Sequence, residues 1–272
     1  MNMIKKFLCE FDDKVRNIGI HFLKKRFLKH YVRKNTNFFE FPIYLISFNR
    51  LSFLKQSVEW LRKYGYTNIN IIDNNSDYPP LLEYLSSCAC KVIRMKKNYG
   101  HEVMYKHPRF FFIRNFTFFV LSDPDLTPVS ECPANFVELF FMKMCEYPQY
   151  PKVGFSLKLD DLPDEYYLKD EVLKWETRFY DKILENKDVI LYDSRIDTTF
   201  AVNAPLIFRS ITKKFSGIRT GFPYQVRHLP WYGEKPSEEL NYYLKSIRKD
   251  VSNWNGNISK ERMQKRIKKH MK

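Results

Sequence analysis

The feature that most constrains this chain is an alternation of short apolar segments with amphipathic segments over residues 41–130. Apolar runs occur in PIYLISF (42–48), NINIIDN (68–74), KVIRMK (91–96) and NFTFFVLSD (115–123). Helical periodicity occurs between the first three, in RLSFLKQSVEWLRKYG (50–65) and PPLLEYLSSC (79–88). Strands that alternate with helices at this spacing form βαβ units. We therefore expect an α/β fold with a mostly parallel central sheet flanked by helices.

The second half of the chain continues this pattern less regularly. ANFVELFFMKMCEYP (134–148) and EVLKWETRFYDKIL (171–184) are predicted helices, whereas KVGFSLKL (152–159) and IDTTFAV (196–202) are predicted strands. A chain of 272 residues with 44% hydrophobic content can bury the core of one large domain. We therefore predict one domain over 41–232, with halves 41–130 and 131–232, between a segment 1–40 and a segment 233–272.

The positive charge is concentrated at the two ends of the chain. The formal net charge is +15, of which residues 1–34 carry +7 and residues 257–272 carry +6. The remainder is nearly neutral, which argues against a nucleic-acid-binding domain, because phosphate binding needs basic residues spread over the binding face. Segment 233–272 is predicted to be a basic helical tail.

A basic amphipathic helix is predicted within residues 1–40. Apolar residues recur there at alternating steps of four and three, and most of the lysines and arginines lie off that face. Such a helix can rest on an anionic lipid surface, or it can dock on the core of its own domain. The residues of the apolar face are Ile4, Leu8, Phe11, Val15, Ile18 and Phe22.

The expected compartment is the cytoplasm. No apolar stretch approaches the roughly 18 residues needed to cross a bilayer, and residues 1–34 lack the apolar region and cleavage site of a secretory signal. Of the five cysteines, Cys88 and Cys90 are too close in sequence for an ordinary bridge and the others are scattered, as is typical of reduced thiols. The basic ends favour a peripheral position at the inner face of the cytoplasmic membrane.

Polar segments follow each of the first four predicted strands. They are SFNR (47–50), DNNSD (73–77), KNYGH (97–101) and SDPDLTP (122–128). Ligands of parallel α/β sheets bind beyond the carboxyl ends of the strands, so these segments are the candidate site. No G-x-G-x-x-G or P-loop motif accompanies them, which excludes a Rossmann dinucleotide site and a Walker-type phosphate cradle.

Asp123 and Asp125 are the candidate metal ligands. Two carboxylates two residues apart at the end of a buried strand can offer hard oxygen ligands to Mg²⁺ or Mn²⁺. Pro124 restricts its own φ and keeps Asp123 extended, so the pair is held stiffly. The alternative is an acidic turn that caps the following segment.

Four segments together resemble the nucleotide-sugar-binding half of a GT-A glycosyltransferase, similar to glycosyltransferase family 2 and bacterial surface-polysaccharide transferases. They are PIYLISFNRLSFLKQSVEWL (42–61), IIDNNSD (71–77), KNYGH (97–101) and FFVLSDPDLTP (118–128). The resemblance implies a GT-A, Rossmann-like fold and a divalent metal on the donor diphosphate, held by Asp123 and Asp125. It also implies a nucleotide pocket formed by Ser47, Asn49 and Arg50, with Asp73 and Asn75 on the base or ribose.

The catalytic base is less clearly indicated. Inverting transfer to a sugar hydroxyl needs a carboxylate to accept the proton, and the "ED" motif that supplies it in family 2 is not evident downstream. Asp197 is the first candidate, because it opens the strand-like IDTTFAV segment; Asp160, Asp161 and Glu176 are the others. For Asp160 and Asp161, a turn or N-cap role is the alternative.

Several basic residues are candidates for the donor site. His228, in RHLPWY, is either a further metal ligand beside the aspartates or a structural hydrogen-bonding group. Arg219 and Arg227 are candidate partners of the diphosphate oxygens. His101 is expected to shape the donor pocket, with Gly100 allowing close approach of the backbone.

The expected function is that of a metal-dependent glycosyltransferase using Mn²⁺ or Mg²⁺. The donor would be a nucleotide diphosphate sugar, and the acceptor a glycan or glycolipid of the cell surface, such as lipooligosaccharide, O-antigen or capsule. A nucleotidyltransferase is one competing hypothesis, but SFNRLSF is not the basic, glycine-rich loop that it would need after the first strand. A basic nucleic-acid-binding protein is the other.

Overall fold

The βαβ pattern predicted for residues 41–130 is confirmed in the computed structural model of the chain, which describes residues 19, 22–31, 37–208, 216–233, 235–247, 264 and 268. The first four strands are β1 (Ile43–Ser47), β2 (Ile69–Asp73), β3 (Lys91–Arg94) and β4 (Phe119–Ser122). Helix α2 (Leu51–Lys63) joins β1 to β2, and α3 (Pro79–Ser87) joins β2 to β3. These four strands lie in the order β3-β2-β1-β4 and pair in parallel.

The sheet as a whole is mixed rather than mostly parallel. Its second half contains β5 (Leu126–Pro128), β6 (Lys152–Leu157), β7 (Ile183–Leu184), β8 (Leu191–Arg195), β9 (Ala201–Asn203) and β10 (Ser216–His228). The strand order continues from β4 through β9, β6, β10 and β8 to β7, and β5 pairs with β10. Strand β9 runs antiparallel between β4 and β6, and β8 runs antiparallel to β10, whereas β6 and β10 are parallel.

Apolar side chains cover both faces of the sheet, which is why the first strands read as continuous apolar runs. On β1, Ile43 and Leu45 belong to the large core that includes Trp60 of α2. Tyr44 and Ile46 point to the opposite face and belong to a smaller core with Met104 and Phe110. The large core also takes Phe136, Phe140 and Phe141 from α6 (Phe136–Glu146), the helix predicted for residues 134–148.

Three predictions of secondary structure are wrong in part. The strand predicted for 196–202 is observed only as β9 (Ala201–Asn203), and residues 196–200 form the loop that precedes it. The helix predicted for 171–184 is observed as α7 (Lys169–Glu176), a 3₁₀ turn (Thr177–Phe179) and the short strand β7. The residues at its end are drawn into the sheet, where β7 pairs with β8. The strand predicted for 115–123 is shortened at its start by α5 (Phe111–Phe116), which follows α4 (Val103–Lys106).

The N-terminal helix is described only in part. Residues 22–31 form α1, while the apolar face predicted from Ile4 to Ile18 lies outside the described residues. Within α1, Lys24 is buried and donates to the Tyr150 carbonyl at 2.6 Å, and Leu28 is buried in the large core. This part of the segment therefore docks on its own domain. No helix of the described residues is long and apolar enough to span a membrane.

The segment after residue 233 contains one described helix, α8 (Glu238–Ser246). Ser237 caps it by accepting a hydrogen bond from the backbone N–H of Leu240 at 3.1 Å. Its first turn carries Glu238 and Glu239 and its last turn carries Lys245, so α8 itself is not the basic helix predicted for this tail. Almost all of the basic run 257–272 lies outside the described residues.

Candidate active site

The predicted site segments lie at one edge of the sheet. Strand β9 is antiparallel to both β4 and β6, and β10 is parallel to β6, so β1, β2, β3, β4, β6 and β10 all run in one direction. Their carboxyl ends therefore meet at the same edge. This edge carries the loops after Ser47, Asp73 and Ser122, together with the end of β10 at His228.

The turn that carries Asp123 and Asp125 is held from two sides. On one side, α2 donates to its backbone: Ser57 Oγ to the Pro124 carbonyl at 2.5 Å, and Trp60 Nε1 to the Leu126 carbonyl at 3.0 Å. On the other side, β5 pairs antiparallel with the end of β10, which places His228 opposite Leu126. The turn is therefore fixed by contacts from α2 and from β10, in addition to the restriction predicted from Pro124.

Asp123 lies against the loop that precedes β9. Its Oδ2 accepts a short hydrogen bond from Thr198 Oγ1, and its backbone N–H donates to the Thr198 carbonyl at 3.0 Å. Burial raises the pKa of Asp123 well above its usual value, and the charges of Asp125 and Asp197 raise it further. A carboxylate in this position is destabilised by its neighbours, so a bound cation would relieve the repulsion.

The pKa of Asp125 is shifted in the opposite direction to that of Asp123. Burial opposes its ionisation, but His228 and Arg50 outweigh burial and lower the pKa of Asp125. His228 Nε2 lies 3.2 Å from Asp125 Oδ2. Asp125 Oδ1 and His228 Nδ1 are both buried and make no hydrogen bond with any described residue. Asp125 thus keeps one oxygen with unused hydrogen-bonding or ligating capacity.

This site fits a metal that takes few protein ligands. Among the described residues, no group of three or more His, Cys, Asp or Glu side chains is arranged to hold an ion. Mg²⁺ usually binds through one or two carboxylates and completes its octahedral shell with substrate phosphates and waters. Asp123 and Asp125 match that donor set, with the orphaned Oδ1 of Asp125 as the available ligand atom. His228 contacts Asp125, and its role as a third ligand stays a prediction.

Asn49 connects the loops after β1 and β2. It adopts a left-handed backbone conformation with φ of 51°, which asparagine tolerates better than most residues. Its Oδ1 accepts from the backbone N–H groups of Asp77 and Tyr78, at 2.9 and 3.1 Å, and its Nδ2 donates to Asp77 Oδ1 and Ser246 Oγ. The side chain predicted to touch the nucleotide is thus fully engaged in holding the two loops together.

Ser47 and Asp73 sit side by side at the ends of β1 and β2, where they are register partners. Both are fully buried. Asp73 Oδ1 accepts from the backbone N–H of Ser76 at 3.0 Å, and its Oδ2 lies 3.7 Å from Arg94 Nε. Ser47 Oγ and Asp73 Oδ2 make no hydrogen bond with the described residues. Both atoms therefore have unused hydrogen-bonding capacity: the hydroxyl can donate or accept, and the carboxylate oxygen can accept.

Asn75, Gly100 and His101 lie on the neighbouring loops. Asn75 is exposed with φ of 66°, and His101 is also exposed. Gly100 has φ of 68°, a conformation that glycine adopts without strain. Asn74 Nδ2 donates to the Gly100 carbonyl at 3.0 Å and so connects the loop after β2 to the loop after β3.

Helix α8 packs over the loop that follows β1. Glu239 accepts hydrogen bonds from the backbone N–H and the Oγ of Ser52, the latter at 2.6 Å, and lies 3.4 Å from Arg50 Nε. The Arg50 guanidinium lies over the rings of Phe53 and Tyr243, at 4.1 and 4.8 Å from their centres. Arg50 is therefore held between α2 and α8, and the sequence carries no local signal for this contact.

Two candidate catalytic carboxylates are paired with two candidate donor-binding arginines. Glu176 Oε2 accepts from Arg219 Nη1 at 2.7 Å, and the two side chains are 6% and 4% exposed. Arg219 is level with Gly154 of β6, three residues before the end of that strand. The structure thus places Glu176 and Arg219 inside the fold, where they neutralise each other, and not at the loop edge.

The second pair lies at the loop edge itself. Asp161 Oδ2 accepts from Arg227 Nε at 2.7 Å and lies 2.6 Å from Arg227 Nη2, so two guanidinium nitrogens contact the same carboxylate oxygen. Asp161 Oδ1 accepts from Tyr232 at 2.5 Å. Asp160 is mostly exposed and pairs with Lys158 at 2.6 Å. Asp161 is consequently occupied by its neighbours, and Asp160 forms a surface pair.

Asp197 is the one base candidate that the structure brings to the aspartate pair without an ion-pair partner among the described residues. It is exposed, it precedes Thr198, and its charge contributes to the raised pKa of Asp123. Thr198 was not predicted as a site residue, although it contacts Asp123 directly. Its position beside Asp197 in the IDTTFAV segment was the available signal. Trp231 is buried, with its ring centre 4.6 Å from that of His228.

A comparison with protein-family models and with curated proteins finds no match to this chain.

Proposed function

We propose that this protein is a metal-dependent glycosyltransferase that moves a sugar from a nucleotide diphosphate sugar to a glycan or glycolipid acceptor. The observation that carries the proposal is the pair Asp123 and Asp125 at the carboxyl end of β4, with Asp125 Oδ1 buried and free of hydrogen bonds to the described residues. The motif order of residues 42–128 supports the same assignment through its resemblance to GT-A enzymes.

Asp123 and Asp125 would hold Mn²⁺ or Mg²⁺. When bound, the metal would stabilise the negative charge of the departing nucleoside diphosphate. His228 orients the carboxylate of Asp125 from one side, and Thr198 orients that of Asp123 from the other. Both carboxylates are thereby held in one position before the substrate arrives, which is what preorganisation of a site requires.

The nucleoside would bind along the ends of β1 and β2. Ser47 Oγ and Asp73 Oδ2 are buried polar atoms without hydrogen bonds to described residues, and a ribose or base would supply the missing partners. The exposed Asn75 and His101 lie on the adjoining loops. In this proposal Asn49 shapes the pocket by fixing the loops and does not contact the donor.

Asp197 would accept the proton of the attacking sugar hydroxyl. It is exposed and close enough to Asp123 to affect its pKa, whereas Asp161 and Glu176 are bound to arginines. A carboxylate already engaged by a guanidinium is a weaker proton acceptor. The inner face of the cytoplasmic membrane is the proposed location, because lipid-linked acceptors and anionic lipids would both be present there.

Ligand-induced stabilisation tests this function. Nucleotide diphosphate sugars, nucleoside triphosphates and Mn²⁺ are added to the protein singly and in pairs, and the melting temperature is measured. A donor at a concentration of about 100 times its Kd raises the melting temperature of a protein of this size by about 5–10 °C. We expect such a shift with one sugar nucleotide, and only when Mn²⁺ is present.

Two outcomes would contradict the proposal. Stabilisation by nucleoside triphosphates but by no sugar nucleotide would favour a nucleotidyltransferase. Retention of DNA or RNA that weakens steeply with salt would instead indicate nucleic-acid binding. Asp160→Asn is the matched control, because Asp160 is an exposed carboxylate near the same edge whose loss should leave the metal-dependent shift unchanged.

A further inference from the structure

Helix α5 exposes three phenylalanine side chains to solvent. Phe111, Phe112 and Phe116 are 46%, 73% and 48% exposed. Their ring centres lie 5.5–6.2 Å apart, so the three rings pack mainly on one another. Leaving this much aromatic surface in water is unfavourable, and a cluster of this kind usually marks a binding surface.

The exposed surface of α5 continues onto α1. Helix α5 contacts the 3₁₀ turn Leu206–Phe208, in which Ile207 is 48% exposed. The ring of Phe208 lies 5.3 Å from that of Phe27 on α1, a residue that is 38% exposed. We call this continuous surface the aromatic patch, and it consists of Phe27, Phe111, Phe112, Phe116 and Ile207.

The net charge around the aromatic patch is positive. Residues 22–31 contain four Lys or Arg and no Asp or Glu, and residues 102–118 contain three Lys or Arg and one acid, Glu102, which pairs with Lys106. Lys25, Arg26, Lys29 and Arg109 are exposed. Aromatic side chains bordered by cations are the composition of a surface that lies in the headgroup region of an anionic bilayer.

The aromatic patch and the candidate active site lie at opposite ends of β4. Phe118, whose ring packs against Phe27, directly precedes β4, whereas Asp123 follows it. Strand β9 ends beside the start of β4, and the turn that carries Ile207 follows β9. Occupation of the aromatic patch would therefore leave the strand-end loops open to substrates.

We propose that the aromatic patch is a docking surface for an anionic lipid bilayer. The phenylalanines of α5 enter the headgroup layer, and the basic residues of α1 and Arg109 contact lipid phosphates. This inference adds to the proposed membrane location the surface that contacts the bilayer, and it can fail independently of the proposed activity, because this surface shares no residue with the active site. It also differs from anchoring by residues 1–18 alone, because α5 is a separate element.

The positive charge of this surface favours an anionic bilayer over a second copy of this chain. Two copies joined through this surface would bring their exposed cations together, and the carboxylate next to residues 103–118, that of Glu102, is already paired with Lys106. An anionic bilayer instead provides negative charge next to every exposed cation. Each Lys or Arg near such a surface contributes about 1 kcal/mol, which corresponds to about a fivefold change in partitioning.

The test is flotation of the full-length protein with vesicles of phosphatidylcholine, with and without phosphatidylglycerol. We expect binding only to the anionic vesicles, weakened by salt. The combined variant Phe111→Ser, Phe112→Ser and Phe116→Ser should lower partitioning by about tenfold or more, since each phenylalanine loses its apolar contact. Lys25→Gln should lower it by about fivefold.

Two controls make the result specific to α5. Ile183→Ser removes a similarly exposed apolar side chain, 65% exposed on β7, and should bind vesicles as the unmodified protein does. Phe112→Trp places a fluorescent ring in the aromatic patch, and its difference spectrum should shift to the blue on adding anionic vesicles. Circular dichroism verifies that each variant is folded.

Three results would overturn the inference. The first is no binding of the unmodified protein to anionic vesicles. The second is undiminished binding of the combined α5 variant. The third is a dimer of the unmodified protein in sedimentation that the combined variant converts to a monomer, which would assign the aromatic patch to self-association. Hydrolysis of a sugar nucleotide in solution should be unaffected by the α5 substitutions, so failure here is distinguishable from failure of the proposed function.

Discussion

Replacing Glu176 by glutamine should destabilise the protein strongly. Glu176 and Arg219 are 6% and 4% exposed and 2.7 Å apart, so neither charge has water as an alternative partner. Arg219 would keep its hydrogen bond from Nε to the Arg195 carbonyl, at 2.8 Å, but lose its counter-charge. Breaking a buried pair from one side costs about 3–5 kcal/mol. For a chain of this size, that loss lowers the melting temperature by about 6–20 °C.

The assay is thermal unfolding followed by circular dichroism at neutral pH. The combined variant Glu176→Gln and Arg219→Met should recover much of the lost stability, because it removes both charges and leaves no unpaired ion inside. Asp164→Asn is the control: its carboxylate, 95% exposed, pairs with Lys169 at the surface, and its loss should leave the melting temperature nearly unchanged. A normal melting temperature of Glu176→Gln combined with lost activity would refute the reasoning and make Glu176 a catalytic residue.

Three further predictions concern the frame around the site. Asp161→Asn should weaken the hold on Arg227 and Tyr232 and lower stability by about 1–2 kcal/mol in urea unfolding, and an unchanged midpoint would contradict the contact. Glu239→Ala should speed proteolysis and hydrogen exchange of α8. Glu238→Ala should not, because the Glu238 side chain makes no hydrogen bond with the described residues. Equal protection of α8 in both variants would argue against docking through Glu239. Gly154→Ala should cost about 3 kcal/mol or more, since an added Cβ would lie 2.4 Å from the Phe200 carbonyl oxygen, and soluble expression with a normal melting temperature would contradict this.

The first half of the fold could be predicted because its signals are local. Apolar runs over 42–48, 68–74 and 91–96, separated by helical periodicity, indicate β1 to β3 with α2 and α3. The antiparallel strands of the second half could not be predicted in the same way. Strand β9 has only three residues, and its place between β4 and β6 depends on contacts distant in sequence.

The limits of periodicity are visible in the 171–184 segment. Trp175 and Glu176 continue a helical pattern, yet α7 ends at Glu176, a 3₁₀ turn follows, and the chain then pairs with β8 as β7. Where a helical pattern is followed by a short edge strand, the sequence has no local feature that marks the end of the helix. Tertiary contacts therefore decided the boundary.

The candidate site, like the fold, could be predicted only where its signals are local in the sequence. Asp123 and Asp125 were identifiable because the turn residues follow an apolar run directly. The pairings of Arg219 with Glu176 and of Arg227 with Asp161 were not, since 43 and 66 residues separate the partners. A sequence shows which residues carry charge, but only the folded chain shows which charges neutralise each other. These pairs show that the candidate bases Glu176 and Asp161 and the candidate phosphate ligands Arg219 and Arg227 are bound to each other.

The most direct measurement of the central claim is release of nucleotide from sugar nucleotides with Mn²⁺, by the unmodified protein, by Asp125→Asn and by Asp160→Asn. The account predicts hydrolysis that requires the metal, is lowered by about 100-fold or more in Asp125→Asn, and is unchanged in Asp160→Asn. Asp125→Asn should remain folded, because asparagine has the same shape. Hydrolysis by Asp125→Asn at the unmodified rate, or equal rates with and without Mn²⁺, would contradict the account.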